Sequence, residues 1–195
     1  MRPAAHDGDH CRSAPFVDIP VLMNSSELFS TVLSAFQSAG WQYEQVEGRE
    51  VIRAGFEAHH ARVELHVQVF EPIRAVAVVA ESSLTTGDPL QRDRLAELAM
   101  RVNEQLTVGN FELVWDVGRL VFRVANLFQT PQGDPNLIQG LVQNAVSEMD
   151  RIAPLDAILH RASGPELVGI DIPSLLRRED LLPDVPEPEE SETNR

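Results

Sequence analysis

The sequence predicts an α+β domain: an antiparallel sheet of five to six strands with three helices, in the order α-β-β-β(-β)-α-β-β-α. Three observations predict it. Val63, Leu65, Val67 and Val69 alternate with Arg62, Glu64, His66 and Gln68, the period-two pattern of a half-buried strand. Two later runs carry the helical period behind an Asp-Pro start, at Asp88-Pro89 and Asp134-Pro135. The links between apolar runs are short and rich in turn residues, which suits a meander of antiparallel strands under a layer of helices.

Taken in order, Asn24 followed three residues later by Glu27 has the form of a capping box, and Phe29, Val32, Leu33 and Phe36 then share one helical face up to Gly40. Residues 41–46 and 50–56 read as strands either side of the turn residues Glu47 and Gly48. After the clear strand at 63–69, Pro72 breaks the chain and residues 73–80 form another strand. Its two faces are about equally apolar, so both are expected to be covered. Leu95, Leu98, Ala99, Val102 and Leu106 trace the second helix, ended by Gly109 and Asn110. Phe111, Leu113 and Trp115 face one way on the next strand, and Leu120, Phe122 and Val124 on its partner, with residues 116–118 as the loop. Ile138, Leu141, Val142, Ala145, Met149 and Ile152 carry the third helix until Pro154 kinks or ends it, with Leu155, Ile158 and Leu159 as an extension.

This arrangement divides the chain into a polar leader (1–23), the α+β domain (24–162), a C-terminal arm (163–182) and an acidic tail (183–195) read as disordered. A chain of 195 residues buries roughly 70% of its unfolded surface, enough for one core. No apolar run approaches the length of a membrane span, and residues 1–20 hold His6, Asp7, Asp9, His10 and Arg12 where an export signal would be apolar. The cytoplasm is the expected location, with no membrane partner. All 16 basic residues are arginine, they form no stripe, and the net charge is −14, which opposes a nucleic-acid partner. Cys11 is the only cysteine, so no internal disulfide can form.

The run VNEQLTVGNFELVWDVGRLVFRV, with Asn103, Leu106, Gly109, Phe111, Leu113, Gly118, Leu120, Phe122 and Arg123, resembles the bacterial YbjN family. The resemblance implies a fold like the type III secretion chaperones over residues 24–162. It also implies a small acidic protein, commonly a homodimer, that holds an extended segment of another protein; it brings no catalytic residues. Read physically, Gly109 lets the chain leave the second helix left-handed, Gly118 serves the hairpin, and Asn103 bonds backbone at the helix end.

No residue pattern supports catalysis. His59 and His60 are adjacent, so on a strand they point to opposite faces, and with His66 they read as a solvated hairpin tip and not as a metal site. His6, His10 and Cys11 with Asp7 and Asp9 sit in a leader without a framework, and His160 is placed by the dipole at its helix end. No nucleophile elbow or phosphate loop occurs. No cofactor, metal or catalytic residue is assigned.

The surfaces carry the functional expectation. With helices over Leu65, Val67, Leu113 and Phe122, the opposite face is expected to present Phe70, Val76, Val78, Val114 and Val121 among Arg62, Arg74, Glu112 and Arg123. That face suits a non-catalytic protein-binding module, chaperone-like or a regulatory adaptor, acting as a homodimer. The protein's own arm or a second copy are the competing occupants. The alternative is a small-molecule sensor with a pocket between sheet and helices.

Overall fold

Six strands form one antiparallel sheet in the order β1-β2-β3-β4-β6-β5 in a computed structural model that describes residues 25–178 and 180–181. The strands are β1 (Glu44–Gln45), β2 (Val51–Glu57), β3 (Arg62–Phe70), β4 (Ala75–Glu81), β5 (Asn110–Val114) and β6 (Arg119–Leu127). The helices are α1 (Glu27–Ser38), α2 (Pro89–Asn103), α3 (Pro135–Arg161), α4 (Gly164–Gly169) and α5 (Ile172–Leu175). The expected leader, the capping residue Asn24 and the acidic tail lie outside the described residues.

The first helix starts on Ser26, whose hydroxyl accepts from Phe29 N. The partner that a capping box would draw from its own first turn comes instead from the β1–β2 hairpin: Ser26 N donates to Glu50 Oε1 at 2.6 Å and Ser26 Oγ to Glu50 Oε2 at 3.0 Å. The first expected strand shrinks to Glu44 and Gln45, because Trp41 and Tyr43 turn their rings edge-on to Phe36. The Asp88 and Asp134 caps form as expected, each accepting from the amide two residues on.

α3 lies across β3, β4 and β6, α1 packs on α3, and α2 covers β5. Pro154 does not end α3. The helix runs on to Arg161 because Leu155 and Leu159 beyond the proline are buried, and their packing outweighs one lost backbone bond. Its last carbonyls are met by Gln91 of α2, whose Nε2 donates to His160 O at 3.0 Å and Ala162 O at 3.1 Å.

Two glycines are required by space. A Cβ on Gly118, at φ +59°, would stand 2.0 Å from Thr86 O, and one on Gly109, at φ +78°, would stand 2.3 Å from Phe122 Cζ. Gly109 does not terminate α2, which stops at Asn103; it lets the chain pass over the Phe122 ring into β5. Asn103 closes that passage, with Oδ1 accepting from Phe111 N at 2.7 Å and Nδ2 donating to Phe111 O at 3.0 Å. Trp115, expected on the strand facing inward, sits in the four-residue turn 115–118 and is half exposed, with the Arg92 guanidinium 5.9 Å from its ring centre.

The described residues of the arm, 163–178 and 180–181, do not cross the open face of the sheet. Its α4 and α5 pack on α2, with Leu167 and Ile172 fully buried, and Arg94 Nη2 donates to Ile170 O. Every described helix outside the 71–73 turn thus joins the helical side of the sheet.

Candidate protein-binding face

Cross-strand partners share a face, so the ladder register decides which side chains point away from the helices. Phe70 pairs with Ala75, Gln68 with Ala77 and His66 with Val79; on the other side of β4 the partners are Leu127, Ala125 and Arg123. The outer face is therefore built in rows. One end is apolar, with Phe70, Ala75 and Leu127; the middle is Val51, Gln68, Ala77 and Ala125; next come Arg53, His66, Val79 and Arg123. The far end carries Glu64, Glu81, Val121 and Glu112, then Arg62, Arg119 and Val114. Phe70 is 39% exposed, Leu127 68% and the neighbouring Ile73 62%, while Ala75, Ala77 and Val79 are sunk between the longer side chains.

Five of the eight residues expected on this face are there: Phe70, Arg62, Val114, Val121 and Arg123. Val76 and Val78 are not. They pair with Val69 and Val67, are fully buried and belong to the core under the helices. The cause is the link between β3 and β4, a 3-10 turn at Glu71–Ile73 followed by Arg74 in the left-handed region at φ 49°. Four residues in that link put Phe70 opposite Ala75, so the odd-numbered residues of β4 face outward. Arg74 flanks the face at this turn, with Nη1 donating to Gln129 O at 2.7 Å.

The arginines expected to meet a partner already have intramolecular ones. Arg62 holds Glu57 and Glu64, both at 2.6 Å, and these bonds push its guanidinium above its ordinary value. Arg123 holds Glu112 at 2.9 Å. Burial pushes the Glu112 carboxyl up, but its bonds from Arg123 and Asn110 hold it below the usual range. Arg119 reaches Glu81 at 2.6 Å, and His66 Nδ1 stands 3.4 Å from the other Glu81 oxygen. Burial, joined by Arg123 and Arg53, pushes the His66 imidazole below its ordinary value against the opposing pull of Glu81. Beside it opens a concavity of about 370 Å3, lined by Val46, Arg49, Val51, Arg53, Glu64 and Gln68 among others.

His59 and His60 stay at the β2–β3 tip, their rings edge-on at 4.5 Å, and His66 lies apart from them in the middle of the sheet. The tip is held by a residue that the sequence did not single out. Asp150 of α3 accepts from the amides of His59 at 3.2 Å, His60 at 2.7 Å and Ala61 at 3.0 Å. Among the described residues no three His, Cys, Asp or Glu side chains gather as a metal would require. His6, His10, Cys11, Asp7 and Asp9 lie outside them.

A second polar cluster went unread in the sequence. Asp156 of α3, 2% exposed, accepts from Ser82 Oγ at 2.5 Å, and its Oδ1 stands 2.9 Å from His160 Nδ1. The hydrogen bond to Asp156 holds the His160 imidazolium above its ordinary value, over the opposing effect of burial. The carboxylate sits between hydroxyl and imidazole, so the imidazole does not reach the serine; the cluster is a buried tie between the end of β4 and α3. A cleft of about 190 Å3 between these elements is lined by Ser82, Met149, Ala153 and Asp156.

The YbjN family model, described as "putative bacterial sensory transduction regulator", matches residues 29–155. The crystal structure of YbjN from E. coli superposes with a TM-score of 0.50 at 12% identity, covering 68% of this chain and 92% of that one. The HopA1–SchA chaperone–effector complex gives a TM-score of 0.42 at 10% identity, covering 63% of this chain and 91% of that one. No curated protein matches the sequence.

Proposed function

The chain belongs to the YbjN family, and from that premise we propose that it is a non-catalytic protein-binding module, chaperone-like or a regulatory adaptor, that receives an extended polypeptide on the outer face of its sheet. One observation carries the reading: every described helix outside the 71–73 turn, including those of the arm, lies away from a face whose floor of Ala75, Ala77, Val79 and Ala125 ends near exposed Phe70, Ile73 and Leu127. A floor of small residues lets a backbone approach closely, and aromatic and aliphatic anchors at one end supply the desolvation energy of binding.

In this reading the protein works in the cytoplasm as a homodimer. Two copies associate on the helical side, through the apolar groove of about 280 Å3 lined by Trp41, Phe56, Val142 and Val146, which leaves the sheet face open. Nucleic acid is opposed by the charge of −14, and among the described residues no helix is long and apolar enough to cross a membrane.

Photocrosslinking tests the proposal. A benzophenone side chain at position 68 or 125 should yield an adduct with another polypeptide in cells, and one at Met100, which is exposed on α2, should not. Equal adducts from all three positions would overturn it. The alternative of a small-molecule sensor draws on the cleft beside Asp156; a compound retained through purification and lost with Ala153→Trp would favour it.

A further inference from the structure

Two arginines, Arg49 and Arg53, and two glutamates, Glu64 and Glu81, line the 370 Å3 concavity, but their partners are unevenly distributed. Glu81 is taken by Arg119 and Glu64 by Arg62, whereas among the described residues Arg49 and Arg53 have neither an ion pair nor a side-chain hydrogen bond. Among the described residues these two guanidiniums, with the Glu44 carboxylate opposite Arg53 on β1, are left without an ion pair beside a half-buried imidazole, so positive charge is in excess at this subsite. Guanidinium forks match the geometry of a carboxylate, and a carboxylate brought here would gain two charge-assisted partners.

The subsite lies at a fixed distance from the apolar end of the face. Arg53 and His66 share one row, and Phe70 stands four residues along β3 from His66. At a strand rise of about 3.4 Å per residue that separation is about 14 Å, the span of four residues of an extended peptide laid along the strands.

We propose that the partner of this face is an acidic extended segment in which an Asp or Glu, held by Arg49 and Arg53, stands four positions from an apolar residue seated on Phe70, Ile73 and Leu127. This rests on the polypeptide-binding reading above and deepens it by naming the partner's chemistry. The register follows from the rows, and the sign of the charge from the two guanidiniums. A carboxylate delivered beside His66 would act on its imidazole in the same upward sense as Glu81, against the burial that, joined by Arg123 and Arg53, now holds it below its ordinary value.

The test is selection of random peptides displayed on phage against the full-length chain, with Ala77→Lys as the blocked-face control and its melting curve recorded. Enriched peptides that lose binding to Ala77→Lys should carry an acid four positions from an aliphatic or aromatic residue. The double variant Arg49→Glu, Arg53→Glu should weaken them about tenfold or more and, on reselection, exchange the acid for Lys or Arg. Phe70→Ala should weaken binding without changing the charge preference. Peptides that are blocked by Ala77→Lys but show no acid at that spacing would overturn this inference and leave the docking reading standing. The absence of any peptide sensitive to Ala77→Lys, or a dimer of this chain dissociated by that substitution, would overturn both.

Discussion

Replacing Asp156 with asparagine keeps the shape of the buried tie and removes its charge. The wild-type carboxylate, 2% exposed, serves Ser82 Oγ and His160 Nδ1 together. Asparagine can keep the serine bond through its carbonyl, so the principal loss is the interaction with protonated His160. Removing one partner of a buried pair costs about 3–5 kcal/mol. In a chain of this length each kcal/mol moves the melting temperature by roughly 2–4 °C, so a fall of about 6–20 °C is expected at mildly acidic pH. The sign with pH follows from linkage. The folded His160 titrates above its ordinary value, so its contribution is complete below the unfolded pKa of about 6.5 and is lost as pH rises through the folded one. The gap between wild type and Asp156→Asn should therefore be widest near pH 6 and narrow by about pH 9, the remainder reflecting the neutral hydrogen bonds. Thermal melts of both proteins across that interval read it directly. Parallel curves with a constant offset would refute the assignment of the charge to His160.

Phe122→Ala, which empties a fully buried site beside Phe111, should cost about 3–5 kcal/mol in urea titrations. Gly118→Ala should destabilise markedly in the same assay, because its Cβ meets Thr86 O at 2.0 Å, whereas Gly87→Ala, with nothing within 4 Å, should be close to neutral. Asp150→Ala should leave the melting temperature little changed but speed amide exchange at His59, His60 and Ala61 on the order of tenfold, since all three donate to its carboxylate.

The parts of the fold that could be read from the sequence are those where one face is wet and the other dry. β3 and the β5–β6 hairpin alternate polar with apolar, and Asp88 and Asp134 announce their helices by cap chemistry alone. β4 defeats the same logic. The first six of its seven residues, Ala75–Ala80, are buried whichever way they face, so composition gives no parity, and the assignment of Val76 and Val78 depended on how many residues the Pro72 turn consumes. Pro154 misleads for a related reason, since burial of Leu155 and Leu159 is a tertiary effect outside the local rule. The candidate site was half legible. Phe70, Val114 and Val121 follow from alternation, but which arginines are spent depends on register, because Arg62 meets Glu57 across a hairpin and Arg123 meets Glu112 across another. The ties made by Asp150 and Asp156 cross 91 and 74 residues of chain to reach His59 and Ser82, a separation at which no spacing rule operates.

The arm folded onto α2 changes what kind of element that helix is. With β5 beneath it and Leu167 and Ile172 pressed on it from above, α2 becomes the middle deck of a stack, sheltered on two sides. A shortened protein cut at the limit of the family match, residue 155, would strip away that roof together with the end of α3. The oily strip thus laid bare would favour clumping, so the useful expression boundary lies beyond Leu175 and not where the likeness to relatives stops.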